Sequence, residues 1–106
     1  MGKYQIEKTI EKLTQTYNNT VFRQQAAQFA ERRQFLTGMC EAYKQAIGVL
    51  ENKNSENCIE ELKKLYEQTK NEKADVDDRK LFFWGFNEAH KNCLLILAED
   101  NDINLN

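Results

Sequence analysis

Residues 33–44 read RQFLTGMCEAYK, and residues 80–91 read KLFFWGFNEAHK. Set against each other at an offset of 47, they share Phe35/Phe82, Gly38/Gly85, Glu41/Glu88, Ala42/Ala89 and Lys44/Lys91. The match runs on to Leu50/Leu97, with conservative changes at Leu36/Phe83, Ile47/Leu94 and Val49/Ile96. Two amphipathic helices resemble each other in their apolar positions for trivial reasons. A shared glycine and a shared glutamate are not dictated by that pattern. The stretch therefore reads as an internal duplication, giving an all-α four-helix bundle of two helical hairpins related by a pseudo-twofold. The common Gly-x-x-x-Ala has a steric meaning, since small residues one turn apart let two helix backbones approach closely. Gly38, Ala42, Gly85 and Ala89 are the expected crossing point of the second and fourth helices.

Working outward, Ile6, Ile10, Leu13 and Tyr17 recur on one helical face and predict a first helix over 3–17. Asn18-Asn19-Thr20 follows, and such residues compete for backbone hydrogen bonds and serve as caps. A long helix is then expected at about 21–51, on the seam Phe22, Ala26, Phe29, Arg33, Leu36, Cys40, Tyr43, Ile47 and Leu50. Its 31 residues would span roughly 46 Å at ~1.5 Å per residue, which is long for a globule of this size. That length predicts either a bend near Gly38 or protrusion and self-association, so a homodimer is the expected assembly. A third helix starts near Ser55 or Asn57, where Asn57 and Glu60 resemble a capping box, and fades by 70–73. A fourth follows the acidic run Asp75–Asp78 and continues to Glu99. The reading is one helical domain over 1–99 and a frayed polar tail over 100–106.

Composition supports this outline. Apolar residues are 41% and charged residues 30%, which argues against disorder along the whole chain. No proline and only four glycines leave too little turn chemistry for a fold of many short strands. Cys40, Cys58 and Cys93 are odd in number and unpaired in spacing, as in a reducing, cytoplasmic compartment. Met1–Leu13 alternates charge with apolar residues and does not read as a secretion signal. No stretch approaches a membrane span. Heavy use of Asn, Lys, Ile, Phe and Tyr is that of an A/T-rich genome.

On a helical wheel the fourth helix carries a second apolar face. Leu81, Trp84 and Leu95 lie opposite its core face, where the second helix has Gln34, Thr37 and Gly48. A helix apolar on two sides is either central or presents a contact surface, and tryptophan is a frequent interface anchor. Leu81, Trp84 and Leu95 are the expected partner-binding residues. Charge gives a second, weaker pointer. Residues 1–50 carry a net +3 and the remainder −5, and Arg23, Arg32 and Arg33 beside Phe22 and Phe29 are the residues that would meet nucleic acid.

Catalytic patterns are weak. His90 and Cys93 lie three apart on one helix, but both fall on its apolar face, and there is no Cys-x-x-Cys. The acidic sets Glu56, Glu60, Glu61 and Asp75, Asp77, Asp78 do not reproduce a magnesium site. No phosphate-cradling glycine loop is present. The expectation is a non-enzymatic protein without cofactor or metal that binds another macromolecule. A phage or mobile-element accessory factor that inhibits or regulates a host or defence protein fits best. A nucleic-acid-associated regulatory or packaging protein is the alternative.

Overall fold

The computed structural model describes residues 6–52, 55–71 and 77–102. They form α1 (Ile6–Ala26), α2 (Ala30–Asn52), α3 (Ser55–Asn71) and α4 (Asp77–Asn101), and no strand occurs among them. Helices α2 and α4 make the central pair. Helix α1 lies mainly on α2 and touches α4, while α3 lies mainly on α4 and touches α2. The chain is a four-helix bundle of two hairpins, 48 × 28 × 22 Å in extent.

The single long helix expected over 21–51 does not form. Helix α1 instead passes straight through Asn18-Asn19-Thr20, and the break falls at 27–29. The threonines explain why. Thr14, Thr16 and Thr20 donate their hydroxyls to the carbonyls of Ile10, Lys12 and Thr16 at 2.7, 2.9 and 2.7 Å. They satisfy themselves one turn back along the helix rather than capping an end. At the true break Ala27 N–H donates to Gln24 O at 3.3 Å, and Arg33 N–H opens α2 by donating to Phe29 O at 3.0 Å. The Arg33 guanidinium donates to the stranded Ala27 carbonyl at 2.8 Å. So Arg33 is not a buried seam residue; it pins the corner and is exposed. Phe22 and Phe29, also read as seam, are 73% and 70% exposed. The 4-3 spacing continues across the corner by coincidence, with neither glycine nor proline to mark it.

The pseudo-twofold is visible in paired contacts. A Cβ at Gly38 would overlap the Phe82 carbonyl, lying 2.8 Å from its carbon, and a Cβ at Gly85 would overlap the Phe35 carbonyl, 2.9 Å from its carbon. These are the same contact under the offset of 47 that relates the two sequence stretches. Deeper in the pair, Asn92 Nδ2 donates to Tyr43 Oη at 3.2 Å, and His90 Nε2 bonds Gln45 Oε1 at 3.0 Å. Tyr43/His90 and Gln45/Asn92 are again equivalents at that offset. The contacts advance together along both helices, so α2 and α4 run parallel. Ala42 and Ala89 are fully buried beside them.

The outer helices obey a related register. IEKLTQTY at 10–17 matches IEELKKLY at 59–66 at an offset of 49, and α1 and α3 begin at equivalent residues, Ile6 and Ser55. Leu13 and Leu62, equivalents in that register, are both fully buried. Each contributes on the order of 2 kcal/mol of burial. Among the described residues α1 extends to Ala26, equivalent to residue 75, and α3 to Asn71.

The polar tail expected from residue 100 does not start there. Helix α4 includes Asp100, whose side chain is buried and accepts bonds from Thr9 Oγ1 at 2.7 Å and from the Lys12 ammonium. Burial alone would raise the Asp100 pKa, but the Lys12 and Thr9 hydrogen bonds outweigh it and hold the carboxyl below its usual range. The helix closes with Asp102 in the left-handed region at φ 53°, a conformation aspartate tolerates at a helix end. Residues 103–106 lie outside the described residues.

The crossing makes a sharp prediction. Gly38→Ala drives a methyl into backbone that cannot yield without parting α2 from α4, at a cost of about 3 kcal/mol or more, the upper end of overpacking. Gly48 has nothing within 4 Å of an added Cβ, so Gly48→Ala gains about 1 kcal/mol of helix propensity. Thermal melts of the two variants should move in opposite directions from the parent.

Candidate contact surface

The surface expected for a partner divides in two. Trp84 is 59% exposed and sits edge-on against Phe35, ring centroids 5.8 Å apart. Leu81, one turn earlier, is half-buried. Phe35 reaches this spot because α2 and α4 touch at Gly38 and Gly85, so one apolar patch takes residues from both central helices. Leu95 is 50% exposed and faces the same way. Eleven residues separate it from Trp84, which is roughly 16 Å along a helix. Lys91 and Glu88 occupy the intervening turns of that face, so Leu95 is a separate spot.

Of the three arginines, two share a place. Arg23 and Arg32 line a shallow pocket of about 380 Å³ at the α1–α2 corner, flanked by Phe22 and Phe29. Arg33 is turned to the Ala27 carbonyl. The corner and Trp84 lie toward the same end of the bundle, where α2 and α4 begin. Sequence periodicity missed Phe22 and Phe29 as surface residues, because their spacing is that of a core seam. The only available hint was the polar or small run RQQAAQ at 23–28, which offers nothing for such a seam to pack on.

The histidine and the cysteines are inside. His90 is 1% exposed, packs its ring on Phe86 at 4.6 Å, and leaves Nδ1 without a partner among the described residues. Burial lowers its pKa to about 4. Cys93 is fully buried, and burial pushes its thiol up to about 12. A neutral imidazole and a protonated thiol offer no thiolate for nucleophilic attack near neutrality. Cys40 and Cys58 are also buried free thiols. Cys58 donates weakly toward the Val49 and Leu50 carbonyls at 3.8 and 3.9 Å. Among the described residues no cluster of three metal-ligating side chains occurs, and no helix is long and apolar enough to cross a membrane.

No protein-family model, curated protein or solved structure matches this chain.

The buried histidine predicts a pH dependence. The unfolded chain takes up a proton near 6.5, but the native His90 does so only near 4. Stability is therefore full above pH 6.5 and falls through the window down to about 4, by about 3 kcal/mol. Denaturant titrations from pH 7 to pH 4 should show that slope in the parent and lose it in His90→Gln, whatever the variant's absolute stability.

Proposed function

We propose that this chain is a non-enzymatic binding protein that engages a protein partner through the α4 surface centred on Trp84. The observation that supports it is a tryptophan left 59% exposed, braced by Phe35 across the α2–α4 crossing. A large, rigid aromatic on a rigid base loses little freedom when a partner covers it. Small size and A/T-rich usage suit a phage or mobile-element accessory factor that inhibits or regulates a host or defence protein. A homodimer is no longer required by the surplus length of a 21–51 helix, since α2 has only 23 residues and lies within the body of the bundle; a second copy meeting the Trp84 face is an alternative occupant.

A second reading rests on the α1–α2 corner. Exposed Phe22 and Phe29 with Arg23 and Arg32 combine stacking surfaces with positive charge, the pairing that single-stranded nucleic acid uses. It would act as a regulatory or packaging contact. Its signature is a salt-sensitive gel shift that weakens in the double variant Arg23→Ala, Arg32→Ala.

The leading reading is tested by affinity capture from host lysate with the parent, Trp84→Ala and Lys91→Ala. A specific protein held by the parent and by Lys91→Ala, and lost at least tenfold with Trp84→Ala, supports it. Equal capture by all three, with each variant still folded, overturns the role of Trp84.

A further inference from the structure

The solvent face of α4 is complementary to itself. From Lys80 to Glu99 the exposed residues of the helix are Lys80, Trp84, Lys91, Leu95 and Glu99, with half-buried Glu88 among them. At about 100° per residue these six fall within an arc of about 100°, so they form one stripe. In chain order they run base, aromatic, acid, base, aliphatic, acid. Read from opposite ends, the stripe pairs Lys80 with Glu99, Trp84 with Leu95, and Glu88 with Lys91. When one helix meets its own copy antiparallel across a twofold, facing residues have numbers that add to a constant. All three pairs share the same constant, so a single register makes all of them at once, each twice. Other arrangements lose this match. A parallel pairing sets Glu88 on Glu88 and Lys91 on Lys91, and like charges directly opposed are unfavourable. Slipping the antiparallel register by one turn either way sets a charge against Trp84 and another against Leu95. The twofold also accounts for the divided apolar surface. Trp84 and Leu95 stand roughly 16 Å apart along the helix, too far to make one patch in one copy, and the antiparallel copy brings each onto the other.

We infer that the exposed face of α4 is an interface with a second copy of this chain, the two α4 helices antiparallel, Trp84 of each seated on Leu95 of the other and flanked by the Glu88–Lys91 and Lys80–Glu99 pairs. Such an interface is closed by its twofold, so assembly stops at two copies. The two Trp84–Leu95 contacts supply the buried apolar surface. The rim charges are each worth little and serve to fix register and orientation. One helix pair is at the small end of stable interfaces, so the dissociation constant is on the order of 10 μM. The inference rests on Trp84 being a contact residue, as proposed above, and names the occupant of its surface. A foreign partner for the same face would have to displace the second copy.

Sedimentation equilibrium of the full chain, from about 1 μM to about 1 mM, spans that affinity. The expected result is a reversible monomer–dimer equilibrium with no larger species, and emission of the chain's single tryptophan that moves to the blue as concentration rises. Lys91→Glu should weaken the dimer at least tenfold, because two attractive pairs become two repulsive ones. Glu88→Lys should do the same, and the double variant Glu88→Lys, Lys91→Glu should return to within about threefold of the parent, since it exchanges the partners without changing their complementarity. Lys91 is exposed, so its reversal leaves the fold intact, which circular dichroism and a thermal melt check for all three variants. A parent that stays monomeric at about 1 mM overturns the inference. So do a dimer indifferent to Lys91→Glu, a double variant as weak as the singles, and a mass that climbs past two copies. A monomeric parent leaves the lysate capture standing, and a failed capture leaves the dimer standing, so the two claims fail separately.

Discussion

Everything in this bundle hangs on the contact between two backbones at Gly38 and Gly85. Each glycine lies against the carbonyl of the phenylalanine three residues before the other, so no side chain can intervene on either side. Helix packing at ordinary distances leaves room for side chains to interdigitate, whereas this pair meets chain on chain. That closeness fixes the register of α2 against α4. It places Tyr43 over Asn92 and His90 over Gln45. It also lets Phe35 brace Trp84 from across the pair. Helices α1 and α3 then close the two sides, each burying a leucine at the same point of its register, Leu13 and Leu62.

Much of this was legible from residues 33–44 and 80–91. The fold class, the two hairpins and the glycine positions follow from residues that apolar periodicity does not explain. The corner between α1 and α2 was not legible. Its threonines look like caps in the sequence and act as back-bonding helix residues in the structure. The seam from Phe22 to Arg33 keeps helical spacing across a real break, so periodicity read one helix where there is a turn. Asp100 was lost to the tail for a different reason. Its partners Thr9 and Lys12 are about 90 residues away in the chain, and no local pattern announces a tertiary ion pair.

The contact surface shows the same division. Trp84 was conspicuous as an apolar residue where its repeat partner is Thr37. That Leu95 stands apart from it, with Lys91 and Glu88 between, follows only from distance along the helix. Departures from the pseudo-twofold include the exposed aromatics Trp84, Phe22 and Phe29 at one end of the bundle. The symmetric part of the molecule is packing, and the asymmetric part is surface.

The central claim is the reciprocal, parallel crossing of α2 and α4. Backbone nuclear Overhauser effects in the ¹⁵N,¹³C-labelled chain test it most directly. Two equivalent sets of contacts are expected: Gly38 Hα protons with Phe82 and Phe86, and Gly85 Hα protons with Phe35 and Met39. If only one set is present, or if the contacts run in the antiparallel order, the pseudo-twofold and all that is built on it are wrong.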